Sequence, residues 1–172
     1  MNPFELKKSL SSMIILWDTR EQDTLRARKR MRNIGVPVEQ VKLNFGDYSV
    51  KCETADLRNV VAIERKLDMD EIAGCYCQDR KRFTREFERA KEAGAKLYLL
   101  IENSSLDDAY SGNYRSRVHP SSLTASIMAW LARYNCQILF CRAENTGKVI
   151  HDVLYRELKE HLEALPDDEN CG

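Results

Sequence analysis

Short apolar runs alternate with amphipathic segments along this chain, and several of the runs end abruptly in charge. Met13 to Trp17 is continuous and apolar and is followed by Asp18-Thr19-Arg20-Glu21, which predicts a buried strand with charge at its carboxyl end. Open α/β sheets put their sites at that end. From Gln22 to Asn33 good helix formers dominate until Gly35. This predicts a helix with Leu25, Met31 and Ile34 facing inward and Arg26, Arg28, Lys29, Arg30 and Arg32 outward.

Val38, Val41, Leu43 and Phe45 suggest a strand, and Gly46-Asp47 a turn into Tyr48-Ser49-Val50 as the second arm of a hairpin. Val60 to Ile63 begins another buried strand that ends in Glu64-Arg65-Lys66. Leu67 to about Ala93 is helical in pattern, broken near Gly74 to Gln78, with Phe83, Phe87 and Ala90 as its apolar stripe. Lys96 to Glu102 is the clearest strand, Asn103 to His119 a polar loop, and Pro120 opens a helix to about Tyr134. Cys136 to Cys141 reads as a strand and Gly147 to Leu165 as a final helix, whose stripe of Val149, Val153, Leu154 and Leu158 is read as core in preference to a dimer interface. No repeat or linker divides the chain. The expectation is an α/β fold, a mixed central sheet flanked by helices, as one domain over 1–165 with a flexible tail at 166–172.

Composition narrows the function classes. The chain has 172 residues, 43% hydrophobic and 31% charged, enough for a real core and against wholesale disorder. Its 27 basic and 27 acidic residues cancel, which excludes binding to nucleic acid by bulk charge and leaves local basic patches as the means. No apolar run reaches the roughly 18 residues of a membrane span, so the expectation is an intracellular, cytoplasmic protein without membrane contact. Six cysteines are then read as reduced thiols. Cys75-Tyr76-Cys77 is too closely spaced for a structural zinc pair, and Thr146-Gly147-Lys148 lacks the glycine-rich cradle of a phosphate loop.

The charged ends of the strands carry the candidate chemistry. Side chains alternate along a strand, so Glu64 and Lys66 share one face while Arg65 takes the other. If the Tyr48 and Val61 strands are neighbours, Asp47 lies beside Glu64 as a paired-carboxylate pocket. Such a pair repels unless a hard dication such as Mg²⁺ or Mn²⁺ sits between. A metal could then acidify a water for attack on a phosphodiester while Lys66 positions it. The competing reading is a surface Glu64/Lys66 ion pair with Asp47 as a plain turn residue.

Asp18-Thr19-Arg20-Glu21, Gly46-Asp47-Tyr48 and Glu64-Arg65-Lys66-Leu67-Asp68-Met69-Asp70, in that order, resemble the XPF family of structure-specific endonucleases, whose signature is GD, a spacer and ERKxxxD. The resemblance continues through Arg82-Phe83 and the strand to Glu102, and covers roughly residues 13 to 160. It implies a restriction-endonuclease-like core of the PD-(D/E)xK class. Asp47, Glu64, Lys66, Asp18, Asp70 and Arg65 would be the catalytic residues, with Mg²⁺ or Mn²⁺ held by Asp47, Glu64 and Asp18 and with Glu21 at the border. Arg82 would contact phosphate, as would Arg26, Lys29, Arg30, Arg115 and Arg117 on the basic helix and the polar loop. The implied activity is metal-dependent hydrolysis of DNA, in flaps, forks or other branched structures during repair, recombination or replication. Members of the family commonly carry a helix-hairpin-helix module after the nuclease domain. This chain looks like a stand-alone nuclease domain, so its grip on branched DNA would come from a homodimer, a partner bearing that module, or its own basic residues. The alternatives are a junction resolvase of the same class and a non-catalytic DNA-binding subunit that supports a partner nuclease.

Overall fold

The computed structural model describes residues 1–77 and 80–165. The expected tail at 166–172 and the dipeptide Gln78-Asp79 lie outside the described residues. In chain order the elements are α1 (Pro3–Ser11), β1 (Ile14–Asp18), α2 (Leu25–Ile34), β2 (Val38–Val41), β3 (Tyr48–Lys51), β4 (Val61–Lys66), α3 (Met69–Cys77) and α4 (Arg80–Glu92). There follow β5 (Lys96–Glu102), α5 (Leu106–Ser111), α6 (Pro120–Arg133), β6 (Cys136–Cys141) and α7 (Thr146–Glu163). The described strands form one six-stranded sheet of order β2-β1-β3-β4-β5-β6. The sheet is mixed: β1 runs parallel to β2 and antiparallel to β3, β3 antiparallel to β4, and β4, β5 and β6 mutually parallel.

Helices cover both faces. Ala62, Leu97, Leu99 and Ile101 pack with Phe83, Phe87 and Trp130 of α4 and α6 on one side. Ile15, Tyr48, Val50, Ile63 and Leu100 pack with Ile34 of α2 and with Ile150, Leu154, Leu158 and Leu162 of α7 on the other. The last helix's stripe is core, as expected, since Leu154 and Leu158 are fully buried.

Three local expectations are corrected. The hairpin does not form, because β1 lies between β2 and β3. The chain ends β2 at Val41 and crosses the end of β1 through 42–47, with Leu43 and Phe45 as buried loop anchors. Their apolar alternation reflects that anchoring and not a longer strand. On α2, Leu25 is 83% exposed while Arg30 is 7% exposed, the reverse of the expected faces. The reason is electrostatic, since the half-buried Glu21 of the loop after β1 and the buried Glu102 of β5 meet Arg30 on the inner face. Within the 103–119 loop, Ser105 and Asp108 form a capping box and Gly112 closes the short helix α5, with Ala109 buried beneath. The helix α1 carries the same kind of signal, Asn2 capping with Pro3 and Glu5 behind it.

Candidate active site

Asp47 owes its position to Gly46. That glycine has φ of 69°, and a Cβ there would stand 2.8 Å from the Ala62 Cβ and 3.1 Å from the Ile63 carbonyl oxygen. Only a residue without a side chain lets this segment lie so closely on β4. The backbone then knits Asp47 between two strands: its N–H donates to the Ile63 carbonyl at 2.8 Å, and its carbonyl accepts from the Asp18 N–H at 2.9 Å. Tyr48 pairs with Ile63, so Asp47 faces Glu64 across the next rung of the ladder.

The two carboxylates meet on the α3/α4 face of the sheet. Glu64 is buried and its Oε1 accepts from the Lys66 Nζ at 2.7 Å. Asp47 Oδ2 accepts from the Arg65 N–H at 2.8 Å. Burial, the Glu64 charge and the Glu21 charge push Asp47 well above the ordinary carboxylate range, against the pull of Lys66 and the Arg65 N–H. Burial likewise raises Glu64, opposed by Lys66 and reinforced by Glu86 and Glu71. For Lys66 burial acts downward, but Glu64, Asp47 and Glu71 outweigh it and hold the ammonium above its ordinary value. Negative charge is therefore in excess here, and one lysine only partly offsets it. The Lys66 Nζ also stands 5.2 Å from the centre of the Phe83 ring and 3.5 Å from a Glu71 oxygen.

Both carboxylates and Lys66 open into a groove of about 690 Å³ at the carboxyl end of β4. Arginines stand along it: Arg20 from the loop after β1, Arg26 from α2, and Arg82, Arg85 and Arg89 from α4. Glu86 crosses between them, accepting from Arg20 at 3.3 Å and from Arg89, while its other carboxylate oxygen is buried without a hydrogen-bond partner among the described residues. Sequence reasoning missed Glu71, Glu86, Arg20, Arg85 and Arg89. The helical spacing Arg82, Arg85, Arg89 on α4 could have revealed the last two.

Of the expected site residues, the groove brings together Asp47, Glu64, Lys66, Arg65, Arg82, Arg26 and Arg30. Asp18 is turned to other work. Its Oδ1 accepts from the N–H and Nε of Arg20 and its Oδ2 from the Leu43 N–H at 2.6 Å, and it is 1% exposed. These three donors take most of its acceptor capacity, and through the Leu43 N–H it braces the 42–47 crossing. Asp70 lies outside the groove and pairs with Arg115, whose N–H and Nε it accepts at 2.5 and 2.7 Å. It is Glu71, one residue on, that lines the groove. Arg115 is thereby committed to α3, and Lys29 and Arg117 are exposed away from the groove lining. Arg30 lines the groove but is buried in ion pairs with Glu21 and Glu102, which leaves it no free face for phosphate.

Among the described residues no group of three or more His, Cys, Asp or Glu converges to hold a metal ion unaided. The pair Asp47/Glu64 nevertheless suits a hard dication. The donors are oxygens, both are held above their ordinary pKa by burial and neighbouring negative charge, and Mg²⁺ commonly takes one or two carboxylates and completes its shell with water and phosphate.

The ERCC4 domain family model matches residues 17–153, a span that contains both strand ends, the Gly46-Asp47 turn and α4. The chain belongs to the ERCC4 domain family. The site just described lies wholly inside the matched span. Its fold is similar to that of XPF from Aeropyrum pernix, with a TM-score of 0.59 at 19% identity over 89% of this chain and 62% of that one. The same protein in complex with DNA gives a TM-score of 0.60 at 20% identity over 90% and 68%. The ERCC4 chain thus spans about 62% of the XPF protein it first matches. Comparison with curated proteins returned no match. No helix of the described residues is long and apolar enough to cross a membrane.

Proposed function

We propose that this chain is a divalent-metal-dependent DNA endonuclease that cuts branched DNA such as flaps and forks. The observation that carries the reading is the facing of Asp47 and Glu64 on adjacent strands with the Lys66 Nζ 2.7 Å from Glu64, in a groove edged by arginines. Mg²⁺ or Mn²⁺ held by Asp47 and Glu64 would supply Lewis acidity toward the scissile phosphate and an acidified water.

The chain's own residues do the rest. Glu64 holds the Lys66 ammonium in place by a charge-assisted hydrogen bond, so Lys66 can orient the attacking water and stabilise negative charge as it builds on the phosphate. Arg26 on one bank and Arg82 and Arg85 on the other would take the flanking backbone phosphates. Such contacts position DNA without reading its sequence. The likeness to an XPF structure solved with DNA supports nucleic acid as the substrate. Selection of branched DNA would draw on a second copy of the chain or on a partner carrying a helix-hairpin-helix module, acting inside the cell.

End-labelled flap, fork, duplex and single-stranded DNA incubated with the protein in Mg²⁺, Mn²⁺ and EDTA test this reading. Metal-dependent incision of flap or fork ahead of duplex, abolished by Asp47→Asn and by Lys66→Ala, is expected. A wild-type protein that binds these DNAs in metal and cuts none of them would be a non-catalytic subunit instead.

A further inference from the structure

Opposite in pleat to Glu64 and Lys66, yet lining the same groove, a second group of charges closes on itself. The Arg65 guanidinium contacts Glu21 at 3.4 Å and Glu102 at 3.6 Å. Arg30 contacts the same two carboxylates, Glu21 at 3.7 Å and Glu102 at 3.5 Å. Two guanidinium groups and two carboxylates thus alternate around a ring in which charge is balanced. Its members come from the loop after β1, from α2, and from the ends of β4 and β5. The Thr146 hydroxyl, on the first turn of α7, donates to Glu102 at 2.8 Å and ties in that helix as well.

The close approach that allows this is built into the helix packing. At Gly147 a Cβ would stand 2.5 Å from the Arg30 carbonyl oxygen and 2.9 Å from the Asn33 Cβ, so α7 can press its backbone on α2 only with glycine there. This assigns a packing role to the glycine of Thr146-Gly147-Lys148. Within the ring the Nε atoms of Arg30 and Arg65 are buried with no hydrogen-bond partner among the described residues. The carboxylates are therefore the principal hold on both guanidinium groups.

The link to the opposite face is covalent and short. The main-chain N–H of Arg65 donates to Asp47 Oδ2 at 2.8 Å, and because the β4–β5 ladder already pairs Arg65 with Leu100, the ring adds a side-chain restraint to a main chain that the sheet orders first. We infer that the Glu21–Arg30–Glu102–Arg65 ring is a positioning device that sets the Arg65 main chain, and through it the Asp47 carboxylate, for divalent-metal binding. Glu102 and Arg30 line the groove but are positioning residues in this scheme, acting through Arg65. The inference rests on the metal-site reading of Asp47 and Glu64 given above.

The test uses Glu102→Gln and the double variant Arg30→Gln/Glu102→Gln, with Asp47→Asn as control. Mn²⁺ affinity is read without DNA from the electron paramagnetic resonance signal of the free ion, melting in EDTA reports stability, and flap cleavage gives kcat and KM separately. Partners of metal ligands typically contribute about 10–100-fold in affinity or activity, so Glu102→Gln should weaken Mn²⁺ binding about tenfold and lower kcat with KM unchanged. The double variant removes one charge of each sign and should recover Tm relative to Glu102→Gln but not Mn²⁺ affinity, because the Glu102 carboxylate no longer holds Arg65. Wild-type Mn²⁺ affinity in either folded variant overturns the inference. So does a double variant that cannot fold, since the ring would then be structural alone. A wild-type protein that binds Mn²⁺ through Asp47 yet cuts no DNA overturns the endonuclease reading and leaves the ring's role standing, whereas one that binds no Mn²⁺ overturns both.

Discussion

On one face of the sheet the end of β4 brings Glu64 and Lys66 against Asp47, with Glu71 and Glu86 close by; on the other it brings Arg65 against Glu21 and Glu102, with Arg30 completing the set. The residues are consecutive, 64, 65 and 66, and the pleat alone sends them apart. The second cluster balances two positive against two negative groups in a ring. In the first, Glu86 is paired with Arg20 and Arg89, while Asp47, Glu64 and Glu71 share Lys66, and Asp47 and Glu64 are held above their ordinary pKa. Satisfied charge suits a brace, whereas unsatisfied charge suits a site that must attract a cation. In the proposed reading the same strand end is both anchor and reactive edge, and the two are coupled through the Arg65 N–H on Asp47, so changing one face at a time measures that coupling.

The largest effect belongs to the unbalanced face. Asp47→Asn or Lys66→Ala should lower flap cleavage by at least about 100- to 1000-fold, the scale of removing one preorganised electrostatic group, with DNA affinity in EDTA little changed. Stability should move the other way for Asp47→Asn. An acid whose folded pKa is raised stabilises the fold while protonated, and that contribution is lost as pH rises through the folded pKa. Above the ordinary aspartate range Asp47→Asn should then be the more stable protein, by about 1 kcal/mol or roughly 2–4 °C in Tm, with the gap closing toward low pH. Asp18 has the opposite sign. Burial pushes it up, but hydrogen bonds from Arg20 and Leu43 outweigh this and hold it below the ordinary value. Its contribution is present above that value and lost as pH falls, so Asp18→Asn should destabilise at neutral pH. Melting curves in EDTA from about pH 3 to 8, spanning the carboxylate titration range, check both signs.

The glycines come next. Gly46→Ala forces a Cβ against Ala62 and Ile63 from a positive φ, and Gly147→Ala forces one against the α2 backbone. Each should cost about 1–3 kcal/mol by overpacking. The two should differ in consequence. Gly46→Ala displaces Asp47 directly and should abolish Mn²⁺ binding in the folded fraction, while Gly147→Ala reaches Asp47 only through the ring and should weaken it.

What the sequence disclosed follows the same division. The strand ends and the opposed faces of Glu64 and Arg65 were legible, because a period of two and a charged strand terminus are local signals, whereas the neighbouring of Asp47 and Glu64 was legible only on the condition that their strands pair, which they do. The burial of Arg30 was not, because helical periodicity assigns charge to solvent and cannot see Glu21 and Glu102 arriving from two other elements. The missing hairpin has a similar cause: Leu43 and Phe45 look alternating, but their burial is set by the crossing over β1 that Asp18 braces through the Leu43 N–H. Glu71 and Asp70 illustrate the limit of a motif, since which of two adjacent acids faces the groove depends on the rotation of α3.

Smaller effects are expected from the arginines that edge the groove. Arg26→Gln, Arg82→Gln and Arg85→Gln should each weaken DNA binding across all sequences alike. Removing one phosphate interaction should reduce the slope of log affinity against log salt by about 0.9 on duplex DNA. Lys29→Gln and Arg117→Gln, away from the groove lining, should leave that slope unchanged. A slope equally sensitive to both sets would move the DNA path off the groove and onto the outer face of α2.

Asp70→Asn should do least to the site and most to a loop. Its carboxylate accepts from both the N–H and the Nε of Arg115, and so fastens the segment after α5 to the first turn of α3. Asp70 does not line the groove. Its neighbour Glu71 does, and Glu71 is held independently: its carboxylate accepts from the Leu67 N–H and its own N–H donates to the Asp68 carboxylate. Mn²⁺ affinity in the variant should therefore match wild type, while amide hydrogen exchange should speed up from Arg115 to Val118. A variant that instead binds Mn²⁺ poorly with its loop protection intact would mean that α3 turns Asp70 toward the groove when the metal binds. The balanced and unbalanced faces of β4 would then be joined by a third participant.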